Sequence, residues 1–226
     1  MTANANRGQN TAMPTYLWNG PADAPTTLIL AHGSGAPMDS PFLEKFAQGL
    51  AERGIRVARF EFPYMHARRA GGKGGPPDRT PVLLASWRAA YAEVEAQAAG
   101  RIAIGGKSLG GRMASLIADE VGAAGLVCLG YPFHPPGQPG KVRTAHLETL
   151  RTPTLIVQGT RDPFGTPDDV SGYVLSPAIR IEWLESGEHS WKPLARSGRT
   201  EAINMAQGIE ATAEFLAELP SRNPGV

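Results

Sequence analysis

The chain has 226 residues, of which 42% are hydrophobic and 19% are charged, and its formal net charge is +1 at pH 7. This composition is that of an ordinary folded domain, and the near-zero charge argues against a nucleic acid or an anionic lipid surface as partner. The single cysteine, Cys128, excludes an intramolecular disulfide and lies in an apolar run that predicts a buried strand. Because no stretch approaches the roughly 18 apolar residues of a membrane span, and the first residues lack an apolar signal-peptide core, we expect a cytoplasmic protein with no membrane partner.

From its amino terminus the chain predicts strands that alternate with helices. Residues 1–13 are polar and are expected to form a flexible tail, followed by a single domain over residues 14–220 and a second tail over residues 221–226. Apolar or alternating runs predict strands at residues 16–18, 26–31, 55–62, 101–104, 125–131, 154–158 and 179–184. Apolar residues three and four positions apart predict helices at residues 41–54, 80–98, 109–121 and 202–216.

This alternation predicts an α/β fold, in which a mostly parallel central sheet carries helices on both faces in three layers. The segment 63–79 contains several arginines and glycines and is expected to be a solvated, irregular loop. Its alternative interpretation is a mobile rim that attracts an anionic group of a substrate. Residues 132–140 form a proline-rich loop, for which substrate binding and partner binding both stay open.

The sequence around Ser108 predicts a sharp turn from a strand into a helix. Glycine stands two residues before and two residues after this serine, at Gly106 and Gly110, where such a turn leaves no room for side chains. The pattern is typical of a nucleophile elbow, which holds a serine hydroxyl at the carboxyl edge of a sheet. A phosphate-binding loop is the rival interpretation, but its first glycine would fall on Arg101, so the spacing excludes it.

An acidic residue and a histidine follow two later strands, in the order serine, aspartate, histidine. Because the carboxyl ends of parallel strands meet at one edge of a sheet, Asp162 and His189 are expected to lie near Ser108. A serine hydroxyl is a poor nucleophile unless a base takes its proton, which His189 would do while Asp162 orients it. Asp168 and Asp169 are expected instead to cap the start of a short helix.

A tetrahedral intermediate also needs hydrogen-bond donors for its negative oxygen. The amide after the nucleophile, that of Leu109, is the first expected donor. The second is expected from the small-residue loop after the second strand, at the amide of Ser34, with Gly35 as the alternative. Gly35, Lys107 and His134 are expected to line the pocket.

The other histidines and the cysteine give no sign of a metal centre. His32 is expected to order the loop that follows it, and His66 and His146 are expected at the surface or on helices. Since paired cysteines and a histidine-glutamate-histidine pattern are both missing from the sequence, we expect neither a metal ion nor a cofactor.

These motifs resemble the α/β-hydrolase superfamily over nearly the whole chain, through residues 32–33, residues 106–110, Asp162 and His189. More narrowly, the stretches GGKSLGGR, GYPFHPPGQP, QGTRDPFG and GEHSW resemble a small, lid-poor subfamily that includes a testis-expressed protein and a subunit of the NSL chromatin acetyltransferase complex. Dienelactone hydrolases are similar in size but carry a cysteine in place of Ser108. The resemblance implies an α/β-hydrolase fold with a minimal lid, and Ser108, Asp162 and His189 as a catalytic triad.

The sequence therefore predicts a serine hydrolase that cleaves carboxylic esters or thioesters of small to medium size through an acyl-enzyme. One alternative is an acyltransferase, which forms the same acyl-enzyme and passes the acyl group to an alcohol or an amine. Another is a non-catalytic scaffold that keeps the hydrolase fold. The expected partner is a small-molecule ester or thioester, nucleic acid is not expected, and a homodimer stays open.

Overall fold

The structure, a computed structural model, describes residues 15–72 and 75–220, so the tails expected at residues 1–13 and 221–226 lie outside the described residues. Within this part, seven strands form one sheet: β1 (Tyr16–Asn19), β2 (Thr26–Ala31), β3 (Arg56–Phe60), β4 (Arg101–Lys107), β5 (Gly125–Leu129), β6 (Thr154–Gly159) and β7 (Ile179–Leu184). The α-helices described are α1 (Pro41–Ala51), α2 (Pro63–Arg69), α3 (Thr80–Glu95), α4 (Leu109–Ser115), α5 (Pro167–Ser171) and α6 (Glu201–Glu218). Short 3-10 turns occur at Ala145–Leu147 and Ala195–Ser197.

The strands lie in the order β1-β3-β2-β4-β5-β6-β7, and only β1 runs antiparallel to its neighbour among the described strands. The central strands are buried along their whole length because both of their faces are covered. In this arrangement the residues that follow β4, β5, β6 and β7 share one edge of the sheet, which is where functional groups gather in such folds.

Two apolar clusters make up the core, one on each face of the sheet. Trp87 of α3 and Met113 of α4 belong to the cluster on one face, and Phe46 of α1 and Phe215 of α6 belong to the cluster on the other. Side chains alternate along each strand, so neighbouring residues of β2 contribute to opposite clusters. The predicted three-layer α/β architecture is therefore confirmed.

The segment 63–79, predicted as an irregular loop, is helical over its first part, and that prediction is wrong there. Pro63 starts α2, where its missing amide hydrogen would have had no partner in any case. Tyr64 and Met65 are buried in the core, and the amide of Tyr64 donates to the carboxylate of Asp78 (2.9 Å). The helix forms because two apolar side chains are buried at its start. The arginines and glycines of the segment dominate its composition, so the sequence pattern did not indicate a helix.

The helix after the elbow ends earlier than predicted, at Ser115 instead of residue 121. The hydroxyl of Ser115 donates to the carbonyl of Arg112 (2.8 Å), which would accept the amide of Leu116 in a continuing α-helix. Leu116 donates to Met113 instead, and the chain proceeds through turns. Side-chain competition for a helical carbonyl thus shortens a segment whose apolar spacing is helical.

The helix α4 packs against the sheet with its backbone almost touching that of β2 and β4. A Cβ atom added to Gly110 would lie 2.6 Å from the carbonyl oxygens of both Ala31 and His32. A Cβ atom added to Gly106 would lie 2.6 Å from the oxygen of Ala31 and 2.7 Å from the carbonyl carbon of Gly110. Only glycine fits at these two positions, so the glycine spacing of the sequence is a requirement of helix-sheet packing.

We expect Gly110→Ala to lower the free energy of unfolding by about 2 kcal/mol or more, because the added methyl group meets fixed backbone oxygens. Urea denaturation followed by circular dichroism measures this change. Gly140→Ala is the matched control, since a Cβ atom there would meet no described atom within 4 Å, and it should alter stability by less than about 0.5 kcal/mol. Equal stabilities of the two variants would contradict the packing argument.

Candidate active site

Ser108 occupies a strained backbone conformation between β4 and α4. Its φ of 50° and ψ of −111° lie in a region that costs a residue other than glycine about 1–3 kcal/mol. The strain is held by hydrogen bonds on both sides, from the amide of Ser108 to the carbonyl of Leu129 (3.0 Å) and from the amide of Arg112 to the carbonyl of Ser108 (3.0 Å). The predicted elbow geometry is therefore present, with the serine half-buried at the edge of the sheet.

Asp162 and His189 form a hydrogen-bonded pair at the same edge. The Nδ1 atom of His189 lies 2.7 Å from Oδ2 of Asp162, and since an ionised carboxylate only accepts, Nδ1 donates. The other oxygen, Oδ1, accepts the amide of Phe164 (2.9 Å), and the Phe164 ring lies 4.4 Å from the imidazole ring. Asp162 is fully buried, so these contacts fix the tautomer and the orientation of His189 and leave its Nε2 atom as an acceptor.

The loops that carry this pair are joined to each other through close backbone contacts. A Cβ atom at Gly159 would lie 2.3 Å from the carbonyl oxygen of Gly187. The amide of Arg161 donates to the same oxygen (2.8 Å), and the amide of Ser186 donates to Oγ1 of Thr160 (2.8 Å). The separation between Asp162 and His189 is therefore set by the backbones of two adjoining loops.

The turn that holds His189 contains a second strained residue, Trp191, whose φ is 71°. A bulky residue at positive φ is rare and is maintained only by strong surrounding contacts. The amide of Trp191 donates to Glu188 (2.8 Å), Asn204 donates from Nδ2 to the carbonyl of Trp191 (2.7 Å), and the buried indole packs edge-on against Phe42. The position of the histidine thus depends on a buried anchor two residues away.

The loop after β2, predicted to supply an oxyanion donor, is ordered by His32. Its Nδ1 atom donates to the carbonyl of Gly33 (2.6 Å), and its Nε2 atom accepts the amide of Phe62 (3.1 Å). Burial lowers the pKa of His32, which keeps the imidazole neutral as this pattern requires. The hydroxyl of Tyr64 also donates to Gly33 (3.1 Å), so the prediction that His32 orders this loop is confirmed.

The same loop borders Ser108. A Cβ atom at Gly33 would lie 3.7 Å from the Cβ atom of Ser108, and the next residues, Ser34 and Gly35, are exposed. Leu109 is the first residue of α4, and the amides of a first helical turn have no partner within the helix. The structure therefore places the start of α4 and the loop at Gly33 next to Ser108.

Lys107 contacts the histidine turn. Its Nζ atom donates to the carbonyl of His189 (2.7 Å) and lies 5.7 Å from the centre of the Phe42 ring. Desolvation lowers the pKa of Lys107 to about 8, and the charges of Asp162 and Glu188 oppose this shift. A residue predicted only to line the pocket is thus a direct tie between the elbow and the turn that holds His189.

His134 is buried beneath the aspartate loop and has little surface with which to line a pocket. Its Nδ1 atom donates to the carbonyl of Pro135 (2.8 Å), and its Nε2 atom lies 3.5 Å from the carboxylate of Asp169. Its amide donates to the carbonyl of Phe164 (3.2 Å). Asp169 forms a reciprocal capping box with Thr166 at the start of α5, so its predicted capping role is confirmed.

Cys128, His66 and His146 have no role in the proposed reaction. Cys128 is buried, and burial raises the pKa of its thiol, which keeps it protonated. His66 is exposed on α2, and His146 is half-buried in the 3-10 turn after β5. Within residues 15–72 and 75–220, no three His, Cys, Asp or Glu side chains cluster so as to hold a metal ion. The described helices include none with the length and apolar character to cross a bilayer.

Gln158 is a site residue that the sequence reasoning did not single out. Its Oε1 atom accepts the amide of Tyr131 (2.7 Å), and its Nε2 atom donates to the carbonyls of Tyr131 (3.3 Å) and Gly165 (3.2 Å). It is fully buried and joins the loop after β5 to the aspartate loop. The sequence could have indicated this role, because a glutamine at the end of an otherwise apolar strand is buried and its amide then needs hydrogen-bond partners.

The lowered pKa of Lys107 predicts a pH dependence of stability. The unfolded lysine titrates near 10.5 and the folded one near 8, so between these values the unfolded chain binds more protons and the free energy of unfolding rises with pH through this group. Lys107→Met removes that contribution. We expect the stability of the wild type relative to Lys107→Met to increase by on the order of 1 kcal/mol from pH 8 to pH 10 in urea titrations. A difference that stays constant or falls would contradict the desolvated position of Lys107.

Solved structures of similar fold include several hydrolases. XC6422 from Xanthomonas campestris, described as a serine hydrolase without a lid, is 20% identical with a TM-score of 0.67, over 92% of this chain and 97% of that chain. Est1E from Butyrivibrio proteoclasticus, with ferulic acid bound, is 14% identical with a TM-score of 0.66, over 91% and 96%. A dienelactone hydrolase from Anabaena variabilis is 16% identical with a TM-score of 0.66, over 92% and 99%. At these identities the similarity shows the fold.

The family model of the alpha/beta hydrolase domain (Abhydrolase_11) matches residues 24–217. This match spans all of the core strands from β2 to β7 and includes Ser108, Asp162 and His189. The chain belongs to the alpha/beta hydrolase domain family.

Proposed function

We propose that this protein hydrolyses carboxylic esters or thioesters of small to medium size through an acyl-enzyme formed on Ser108. The observation that carries the proposal is the buried Asp162–His189 pair, joined at 2.7 Å, at the sheet edge that holds a serine in a strained elbow. The fully buried carboxylate of Asp162 accepts from Nδ1 of His189 and from the amide of Phe164, so it holds the imidazole in the orientation that a general base needs.

In the proposed reaction His189 takes the proton of the Ser108 hydroxyl as the oxygen attacks the carbonyl carbon of the substrate. The imidazolium then returns the proton to the leaving alcohol or thiol, and the acyl group stays on Ser108. A water molecule, deprotonated by the same histidine, attacks the acyl-enzyme and releases the acid. Asp162 stabilises the positive imidazolium in both halves of the reaction.

The negative oxygen of each tetrahedral intermediate would accept hydrogen bonds from the amides of Leu109 and Ser34. Both lie on segments held by backbone contacts, the first by α4 and the second by the His32 hydrogen bonds. Donors fixed before the reaction need no reorganisation when charge develops, which is why such sites contribute several powers of ten in rate.

The segment between β3 and α3 begins with α2, which is held in place by hydrogen bonds and ion pairs. Tyr64 donates to Asp78, and Arg69 pairs with Asp39 and Glu61. The hydroxyl of Tyr64 also donates to the carbonyl of Gly33, which anchors α2 to the loop that carries Ser34. Similar structures described as serine hydrolases and esterases agree with this proposal.

The nucleophile and its base are tested by labelling with a fluorophosphonate and by hydrolysis of 4-nitrophenyl butyrate. We expect stoichiometric labelling of the wild type at Ser108, found by peptide mapping, and loss of labelling in Ser108→Ala and His189→Ala. Ser108→Ala and Asp162→Asn should each lower kcat by on the order of 10⁴-fold. The first substitution removes the nucleophile, and the second stabilises the wrong tautomer of the His189 imidazole.

Ser86→Ala is the matched control, because Ser86 is a half-buried serine on α3 whose hydroxyl donates to the carbonyl of Val82 in its own helix. It should keep both the labelling and the rate of the wild type. Labelling of folded Ser108→Ala, or an unchanged rate in His189→Ala, would contradict the proposed mechanism. A folded wild type that neither labels nor turns over esters would favour the scaffold alternative.

A further inference from the structure

A second cluster of polar side chains lies beside the elbow and has no part in the proposed mechanism. It is built from Arg112 and Ser115 of α4 and from Tyr131, Arg143 and His146 of the segment after β5. The amide of Arg112 donates to the carbonyl of Ser108 (3.0 Å), so the cluster begins one helical turn from the candidate nucleophile.

The hydrogen bonds of this cluster fix two stretches of backbone. The imidazole of His146 contacts the Ser115 hydroxyl (2.8 Å), which donates to the carbonyl of Arg112 (2.8 Å). The hydroxyl of Tyr131 lies 3.4 Å from the same imidazole and donates to the carbonyl of Arg143 (3.2 Å). Both arginines are thereby anchored through their main chains, and none of these bonds uses a guanidinium group.

The guanidinium of Arg112 has no hydrogen-bond or ion-pair partner among residues 15–72 and 75–220. Its Nε atom is buried and makes no hydrogen bond to any described residue, although the residue as a whole is half-buried. Arg112 lies one helical turn, about 5.4 Å, beyond Ser108. Because helical side chains lean toward the amino end of their helix, the Arg112 side chain lies over the turn that begins at Ser108.

Arg143 brings a second positive charge to the same place. Its amide donates to the carbonyl of Phe133 (2.7 Å), but its guanidinium makes no ion pair with a described residue. Desolvation and the nearby charge of Arg112 lower the pKa of Arg143. Burial and Arg112 also lower the pKa of His146 to about 4, so this imidazole is neutral at pH 7. No carboxylate is among the groups that shift these two pKa values.

Arg59 and Arg68 donate to carbonyl and amide oxygens, whereas several other described arginines pair with carboxylates. Ion pairs of this kind involve Arg53, Arg69, Arg88, Arg151 and Arg180. Two guanidinium groups that repel each other in a partly desolvated place, without an acid, are unfavourable unless an anion joins them. Arg112 and Arg143 differ from these arginines in that neither guanidinium has a hydrogen bond or an ion pair to a described residue.

We propose that Arg112 and Arg143 bind an anionic group, a carboxylate or a phosphate, on the substrate whose carbonyl Ser108 attacks. The proposal rests on the proposed hydrolase function and narrows its substrates to esters or thioesters with a negative charge beyond the scissile bond. Guanidinium groups suit this task because their planar arrays of donors match the oxygens of carboxylates and phosphates.

The test compares two 4-nitrophenyl esters of adipic acid, one with a free carboxylate and one with that carboxylate methylated. We expect the wild type to prefer the anionic ester by about tenfold or more in kcat/KM, the scale of a charge-assisted hydrogen bond. Arg112→Gln and Arg143→Gln should each reduce this preference by about tenfold, and Arg143→Lys should retain part of it. Equal preferences in the wild type and both glutamine variants would overturn the proposal.

Arg180→Gln is the matched control, because Arg180 lies near the start of β7, at the opposite edge of the sheet, and pairs with Glu218. It should keep the preference of the wild type. Inorganic phosphate and acetate are then tested, at one ionic strength, as inhibitors of the hydrolysis of the anionic ester. This comparison distinguishes a site for phosphate from a site for carboxylate. Stronger inhibition by phosphate indicates a phosphate ligand, and stronger inhibition by acetate indicates a carboxylate ligand. If either anion inhibits Arg143→Gln as strongly as it inhibits the wild type, the assigned site is contradicted.

The arginine pair can be judged even if the hydrolase proposal fails. A protein that is not labelled at Ser108 and hydrolyses neither ester refutes the hydrolase function but not the anion site. Calorimetric titration of Ser108→Ala with adipate and with inorganic phosphate then measures directly whether the arginine pair binds an anion. Binding that is lost in the additional variant Arg143→Gln supports the site, and lack of binding by both anions overturns it.

Discussion

The close approach of α4 to the sheet determines where the groups of the candidate site lie. Gly106 and Gly110 allow backbone to meet backbone at distances that any side chain would prevent. The short turn between β4 and α4 then forces Ser108 into its strained conformation and places it beside the loop at Gly33. The free-energy cost of the strained backbone at Ser108 is offset by the packing of α4 against the sheet. As a result, the serine hydroxyl is held at the edge of the sheet.

The charges around Ser108 are distributed unevenly, and this shapes the substrate that the site would accept. On one side, the buried carboxylate of Asp162 is matched by His189 and by the nearby ammonium of Lys107. In the cluster that begins one helical turn beyond Ser108, Arg112 and Arg143 carry two charges that no described acid pairs with. A neutral ester would leave these positive charges without a partner, whereas the negative group of an anionic ester would compensate them.

The sheet, its longer helices and the elbow at Ser108 followed from the sequence, because apolar periodicity, glycine spacing and the residues after each strand are local signals. The bond from Lys107 to His189 and the cluster that links α4 with residues 131–146 depend on contacts between distant segments. Sequence spacing does not encode such contacts, and a helix as short as α2 gives too few apolar residues for a period. The narrower resemblance to the testis-expressed and NSL proteins stays a prediction.

The central claim is that Ser108, His189 and two backbone amides form one acyl-transfer site. A crystal structure after reaction with diethyl 4-nitrophenyl phosphate tests it directly, because the phosphoryl adduct imitates the tetrahedral intermediate. The account predicts phosphorus on Oγ of Ser108, with the phosphoryl oxygen within hydrogen-bond distance of the Leu109 and Ser34 amides. An adduct on another residue, or a phosphoryl oxygen directed away from both amides, would contradict it.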